Sequence, residues 1–212
     1  MRDLVILVAD GTMKAVFDAF FDRDRWDLRL QCGAFDLWPQ EDIFHDPLHT
    51  DGGVHKSAHQ LLRPYLNTHI RAIVVLDQQF GGELPAEQVR LEILQNLRAN
   101  GWAEDRCSVV VIDPELEIWL WQDNANVAQA IRFTGPSVRQ HLQQVGKWPV
   151  GAAKPLDPKE TIQEFIKPHR ALKTKVVYSR IARTVSVARC TDPAFQLFAG
   201  TLRGWFPQGA GA

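Results

Sequence analysis

Three short hydrophobic runs, each ending in an aspartate, alternate with segments of helical periodicity. The runs cover residues 4–10, 72–77 and 108–113 and are rich in valine and isoleucine. Continuous apolar runs of this length are typical of strands buried on both faces, as in a parallel sheet covered by helices. A fourth strand is predicted over residues 35–44, interrupted by Pro39.

The segments between these runs carry apolar residues at the three- and four-residue spacing of amphipathic helices. This spacing predicts helices over residues 12–22, 54–66 and 85–100. Strands that alternate with helices predict an α/β fold, with a mainly parallel sheet flanked by helices. We assign residues 1–122 to this α/β domain.

Beyond residue 122 the pattern is helical, and residues 123–212 are expected to form a helical C-terminal extension that packs on the first domain. Asp192 followed by Pro193 strongly predicts the start of a helix. The aspartate can cap the helix, and proline is favourable at the first helical position because the N–H group that it lacks would have no partner within the helix. A stretch rich in Gly, Ala and Pro at residues 149–158 predicts a linker. The helices of this half are predicted at residues 123–132, 136–145, 158–167, 175–189 and 193–206.

Composition excludes some classes of protein. With 45% hydrophobic and 23% charged residues among 212, the chain is not intrinsically disordered. Its 24 basic and 25 acidic side chains leave a net charge of -1, so any binding of nucleic acid must use a local patch. Three cysteines predict a reducing compartment, and the first apolar run is too short for a signal peptide. We therefore expect a cytoplasmic protein without membrane association.

The aspartates at the ends of the predicted strands are candidate ligands for a metal ion. Asp10, Asp77 and Asp113 would all emerge at the carboxyl edge of the parallel sheet, where ligands bind in such folds. Carboxylates that converge repel one another unless a cation lies between them, and oxygen ligands suit Mg²⁺ or Mn²⁺. Each aspartate has an alternative role as a helix cap, most of all Asp113, which precedes Pro114.

Glu115 and Glu117 follow the last predicted strand and extend the set of acids. On a helix, residues two apart point in different directions, so only one of them would face the edge of the sheet. In an extended segment both would share a face. Alternatively, both lie in a first helical turn, where negative charge favours the helix dipole.

An apolar strand that ends in Asp10-Gly11, and a later strand that ends in Asp77-Gln78-Gln79, resemble the Toprim domain of topoisomerases, primases and nucleases. In that family an acid after the first strand acts as general acid or base, and a pair of acids holds Mg²⁺. The resemblance implies that Asp10 is the acid or base and that Asp77 and Gln79 are the metal-binding pair. Two of these three positions depart from the pattern. The family has Glu where this chain has Asp10, which is one methylene shorter, and Gln79 is a neutral amide, which binds Mg²⁺ more weakly than a carboxylate.

Further segments resemble one component of the bacterial methylation-associated phage-defence system. They are residues 7–11, 74–77, 100–102, 114–117, 158–160 and 190–195. Residues 117–120 also resemble an acid-x-Trp-Leu segment that follows the last strand in Toprim-like proteins of bacterial defence islands. This resemblance implies that Glu117 is a catalytic acid, with Glu115 and Asp113 as further metal ligands. The resemblance implies a role in anti-phage defence beside other proteins of the system, with DNA and oligomerisation as further possibilities.

Histidines and basic residues give two weaker signals. His45, His49, His55 and His59 are close in sequence, and the last two share one helical face, as zinc ligands do. Ordinary surface histidines, or donors to a phosphate, are the alternatives. Basic residues are dense in the second half and would bind a phosphate backbone if they shared a face; the candidates are Lys154, Lys159, Arg180 and Arg183. The alternative is a solvated helix surface.

Three functions are compatible with these patterns. The first is a Mg²⁺- or Mn²⁺-dependent nuclease or other phosphodiester hydrolase. The second is a catalytically degenerate scaffold that binds partner proteins or DNA in a defence complex. The third is a module that binds a nucleotide or another phosphorylated signal at the edge of the sheet.

Overall fold

The computed structural model describes residues 1–79, 84–169, 172–188 and 190–209. Its sheet has four parallel strands in the order β2-β1-β3-β4. The strands are β1 (Arg2–Val8), β2 (Ile43–Phe44), β3 (His69–Asp77) and β4 (Cys107–Ile112). The α/β fold with a parallel sheet is confirmed, and the three runs that end in aspartate lie side by side.

The helices of the described residues flank this sheet, and six of them follow β4. Short 3₁₀ turns at Arg63–Tyr65 and Glu104–Arg106 lead into β3 and β4. In chain order the helices are α1 (Gly11–Phe21), α2 (Trp26–Leu30), α3 (Pro39–Asp42), α4 (Asp51–Leu61), α5 (Ala86–Ala99), α6 (Glu117–Leu120), α7 (Ala125–Ala130), α8 (Val138–Gln144), α9 (Pro158–Ile166), α10 (Thr174–Ala182) and α11 (Pro193–Trp205).

Several predicted elements are shorter than expected, and two of them have a visible cause. Residues 35–44 form a strand only at Ile43–Phe44, because Pro39 begins the helical turn α3, in which the Asp42 carboxylate accepts the Trp38 N–H at 2.7 Å. The helix predicted at 175–189 ends at Ala182, and residue 189 lies outside the described residues. After that end, the side chain of Gln122 hydrogen-bonds to the backbone of Ser186, which holds the segment away from helical geometry.

The buried carboxylate of Asp42 holds the starts of β1 and β3 together at the amino end of the sheet. Asp42 is fully buried, and its carboxylate pairs with Arg2 of β1 and lies 3.1 Å from the imidazole of His69 in β3. Thr68 lies 2.9 Å from the other ring nitrogen of His69. A buried carboxylate is tolerated here because several donors surround it.

The helical half packs directly on the α/β half. Phe17 of α1 and Phe198 of α11 have ring centroids 5.5 Å apart in an edge-to-face arrangement, and Trp119 lies 6.2 Å from both. The predicted start of α11 is confirmed, since Asp192 accepts the N–H of Phe195 at 2.9 Å. The boundary at residue 122 stays a prediction.

Within the described residues, every helix is either too short or too polar to traverse a lipid bilayer.

The contact between α1 and α11 generates a first prediction. Phe198 is 2% exposed, so Phe198→Ala removes a buried ring and leaves a cavity, which costs about 3–5 kcal/mol of unfolding free energy. Leu197 on the same helix is 38% exposed, so Leu197→Ala is the matched control and costs less than about 1 kcal/mol. Urea denaturation followed by circular dichroism measures both. Equal losses in the two variants would show that α11 does not pack as described.

Candidate functional site

The carboxyl ends of β1, β3 and β4 finish at the same level. Val8 pairs with Val75 in the register of β1 and β3, so Asp10 and Asp77 each follow this pair by two residues. Asp77 itself pairs with Ile112, the residue before Asp113. Strand order also reverses between β1 and β3, since β2 lies on the other side of β1, and such switch points form ligand crevices.

Asp77 is tied to two neighbouring segments by hydrogen bonds. Its backbone N–H donates to the Asp51 carboxylate at 2.7 Å, which brings the first turn of α4 to the end of β3. Its own carboxylate accepts the backbone N–H of Leu116 at 2.9 Å, one residue before Glu117. These contacts place Asp51, Asp77 and the segment of Glu115 and Glu117 at one edge of the sheet, near Asp10. We call these five residues the acidic cluster: Asp10, Asp51, Asp77, Glu115 and Glu117.

Burial and like charges change the protonation of the acidic cluster. Burial raises the pKa of Asp77 to about 9, and the charges of Asp51 and Glu117 add to this shift. Burial also raises the pKa of Asp51, with Asp10 contributing repulsion. Asp77 is therefore protonated at neutral pH.

Glu117 occupies the most enclosed position of the acidic cluster. Its side chain belongs to α6, the residue is 4% exposed, and one carboxylate oxygen accepts the hydroxyl of Tyr178 at 2.8 Å. Its Oε2 is buried and has no hydrogen-bond partner among the described residues. Burial raises the pKa of Glu117, and the hydrogen bond from Tyr178 opposes that rise. A buried acceptor without a partner is costly, which marks Oε2 as a candidate ligand atom.

Lys159 at the start of α9 supplies a positive charge to the acidic cluster. Its backbone N–H and its ammonium donate to the two oxygens of Glu115 at 3.2 and 3.1 Å. Burial lowers the pKa of Lys159, but the charge of Glu117 and the hydrogen bond to Glu115 raise it by more, with a further contribution from Asp77. The lysine is therefore charged and partly compensates the carboxylates.

The remaining predicted site residues lie around the acidic cluster in different environments. Asp10 caps α1, accepting the N–H groups of Thr12 and Met13, each at 2.7 Å. Gln79 is exposed, and its backbone N–H donates to the carbonyl of Pro114 at 3.2 Å. Asp113 is also exposed, and the expectation that it caps a helix is wrong, because α6 begins only at Glu117.

The side chains of the acidic cluster all end in carboxylate oxygens, which are the ligand atoms that a hard divalent cation prefers. One of these oxygens, Oε2 of Glu117, is buried and has no hydrogen-bond partner among the described residues. The carboxylates do not converge in the present arrangement. Within the part of the chain that the structure describes, no three His, Cys, Asp or Glu side chains are grouped so as to hold a metal ion. The metal-binding roles of Asp77, Gln79, Glu115 and Asp113, and the catalytic roles of Asp10 and Glu117, stay predictions.

The histidines are divided among different partners. His55 of α4 lies 2.9 Å from a carboxylate oxygen of Glu92 in α5, and His49 lies 3.3 Å from Asp46. His45 approaches the turn after β1, where a Cβ added to Gly11 would lie 3.2 Å from its Nε2. His45 is thus the histidine placed beside the capping aspartate of α1.

The four predicted basic residues do not share one environment. Lys154 donates to the carbonyl of Trp121 at 2.6 Å, while Lys159 belongs to the acidic cluster. Arg180 is exposed on α10, and Arg183 pairs with Asp22. Their role in binding nucleic acid stays a prediction.

Some residues of the site were missed by sequence reasoning. Asp51 joins the acidic cluster through the backbone of Asp77, and Tyr178 reaches Glu117 from 61 positions away. Arg183 also lines a shallow depression with Arg23, Arg25 and Arg29 of the first half. Asp51 carried a usable signal, since it lies in the first turn of a helix that precedes β3, whereas Tyr178 looked like an ordinary core position of an amphipathic helix.

The raised pKa of Asp77 generates a second prediction, for the protein in EDTA. Because the folded-state pKa of about 9 exceeds the unfolded value of about 3.9, this group favours folding most below about pH 4, and the contribution is lost as pH rises towards 9. Asp77→Asn keeps the acceptor for Leu116 and removes the titration. The stability of the variant relative to wild type should rise by about 1–3 kcal/mol between pH 5 and pH 8.

Urea denaturation at several pH values measures this difference. The exposed Asp105 provides the matched control, since Asp105→Asn should leave the pH dependence of the unfolding free energy as in wild type. Parallel stability curves for Asp77→Asn and wild type would show that the Asp77 carboxyl titrates alike in the folded and unfolded chain.

In comparisons with known proteins, no protein-family model, no curated protein and no solved structure matches the chain. The resemblance to Toprim proteins thus depends on the sequence segments quoted above and stays a prediction. The fold itself is established by the four parallel strands and their helices.

Proposed function

We propose that this chain is a Toprim-like component of a bacterial anti-phage defence system, acting in the cytoplasm, and that its acidic cluster binds Mg²⁺ or Mn²⁺ to cleave phosphodiesters. The proposal draws its family from the sequence resemblance and its chemistry from the acidic cluster. Other proteins of the defence system are the proposed partners, and DNA is the proposed substrate.

One observation carries the metal-binding part of this proposal. The Glu117 carboxylate is buried at the carboxyl edge of the sheet, with Oε1 bonded to Tyr178 and Oε2 without a partner among the described residues. The neighbouring Asp77 has its pKa raised to about 9. Carboxyl groups that hold protons in the absence of metal agree with a metal site, because a cation that binds them would displace those protons.

The proposed roles follow from position. Asp77, Asp51 and Glu117 are the proposed metal ligands, since hydrogen bonds hold their segments at one edge of the sheet. Asp10 caps the neighbouring helix α1 and is placed to exchange a proton at the same edge. A divalent cation supplies stabilisation of phosphate charge and a more acidic bound water in reactions of this class.

The metal-binding proposal predicts that Mn²⁺ binds to the purified full-length chain at pH 8. Glu117→Gln keeps the size and the acceptor for Tyr178 but removes the charge, so it should weaken Mn²⁺ binding by about tenfold or more. Titration calorimetry in two buffers of different ionisation enthalpy should also detect release of about one proton per Mn²⁺ bound.

The exposed Glu160 of α9 provides the control, since Glu160→Gln should bind Mn²⁺ as wild type does. Supercoiled plasmid and single-stranded DNA, incubated with Mn²⁺, then test cleavage, which should disappear in Glu117→Gln and Asp77→Asn. Absence of Mn²⁺ binding at millimolar concentration would refute the metal site, and binding without cleavage would refute the nuclease.

A second candidate, a non-catalytic subunit that binds partner proteins or DNA, is favoured by Lys159. Its ammonium already lies against Glu115 and interacts with Glu117 and Asp77. A lysine that compensates the acids permanently would make a cation unnecessary, and the neutral Gln79 agrees with this interpretation.

Lys159→Gln separates the two candidates. Removal of the ammonium leaves the carboxylates uncompensated, but Lys159 is about half exposed, so the variant should lose about 0.5–1 kcal/mol of unfolding free energy in EDTA. If the acidic cluster is a metal site, Mn²⁺ should restore stability and bind more tightly than to wild type. A loss that Mn²⁺ does not restore favours the scaffold, and the exposed Lys167, changed to Gln, is the control that should alter neither property.

A further inference from the structure

A second concave site lies among the helices, apart from the acidic cluster. It is a cavity of about 610 Å³ between α1, α6, α8, α10 and α11, which we call the aromatic cavity. Its described lining includes none of the residues of the acidic cluster. Volumes of about 300–1,000 Å³ are typical of pockets that enclose a small organic molecule.

The walls of the aromatic cavity are largely carbon. Phe17 and Phe198 contribute aromatic rings, and so do Trp119, Trp121 and Trp148. The three indole N–H groups are bonded to protein acceptors, a carboxylate or a backbone carbonyl, at 2.7–3.0 Å. Trp121 and Trp148 are buried, at 0% and 2% exposure, whereas Trp119 is half-buried. The ring surface open to an occupant therefore belongs mainly to Trp119, and an occupant with an aromatic body would pack against it.

The charges at the aromatic cavity are predominantly positive. Lys154 and Arg139 line it, and each donates one hydrogen bond to a backbone carbonyl, at 2.6 and 2.8 Å. Both side chains carry further N–H donors beyond that bond. The single described acid of the lining, Asp123, accepts hydrogen bonds from Ser137 and from the backbone of Arg139, which ties it to the start of α8.

The lysine is held in an environment that an anion would improve. Burial lowers the pKa of Lys154, and the charge of the Asp192 carboxylate only partly offsets this. An anionic group beside the ammonium would stabilise its charged form. The cavity thus combines an apolar body with a cationic end, which is the complement of an amphipathic anion.

We propose that the aromatic cavity binds a small organic anion with a fused or linked aromatic ring system and one carboxylate or sulfonate group. The rings pack against Trp119 and the apolar wall, and the acid pairs with Lys154 and Arg139. Two cationic side chains in a largely apolar wall suit one acidic group and do not suit the several charges of a nucleoside triphosphate.

Two fluorescent probes that differ by one charge test this assignment on the full chain. They are 8-anilinonaphthalene-1-sulfonate and N-phenyl-1-naphthylamine, which has the same rings without the sulfonate. Both should bind saturably with one site per chain. Lys154→Gln should weaken binding of the sulfonate by about tenfold and change binding of the neutral amine less than about twofold.

Lys147 provides the matched control, because it pairs with Glu164 and does not line the cavity. Lys147→Gln should bind both probes as wild type does. Ala153 is an exposed residue of the lining, so Ala153→Trp should fill the space and abolish binding of both probes while the melting temperature is retained.

The location of the probe is tested through a thiol. Cys190 lines the aromatic cavity and is half-buried, whereas Cys32 and Cys107 are buried elsewhere. The sulfonate probe should therefore slow alkylation of Cys190 by iodoacetamide, measured by mass spectrometry. Non-saturable binding, equal affinities in wild type and Lys154→Gln, or unchanged alkylation of Cys190 would each overturn the proposal.

Discussion

The register of three parallel strands is the constraint on which the rest of the site depends. Because β1, β3 and β4 run in the same direction and end level, the segments that follow them must leave the sheet at one edge. That edge receives Asp10 from one strand and Asp77 from the next, and the chain after β4 then turns back as α6 with Glu117. A shift of β3 by one residue would exchange the faces of its side chains, so Asp77 would no longer accept the N–H of Leu116 at this edge.

Much of this arrangement was predictable because it is local or periodic. Valine-rich runs with an aspartate at the end specify buried parallel strands, and the start of α11 at Asp192-Pro193 is a local capping preference. The expected strand at residues 35–44 failed for a local reason too, since Pro39 is a better first residue of a helical turn than a member of a strand.

The parts that were not predictable depend on contacts between distant segments. The sequence around Tyr178 does not indicate that its hydroxyl bonds to a glutamate 61 positions earlier. Nor does the sequence around Lys159 indicate that it lies near the side chains of Glu115, Glu117 and Asp77. The aromatic cavity has the same origin, since Trp119 and Trp121 line a space that also needs residues of α10 and α11 as its walls. The hydrophobic pattern of a sequence indicates which side chains are buried, but it does not indicate which residues of distant segments they contact.

Lys159 and Tyr178 come from the helical half, while every acid of the acidic cluster comes from the segments before α7. During synthesis the ribosome releases the acids first, when they are still hydrated and ionised. Docking of α9 and α10 then removes water from Glu115 and Glu117 and delivers the ammonium and hydroxyl that compensate them. The helices that cover Glu115 and Glu117 are thus the same ones that supply the groups that compensate them.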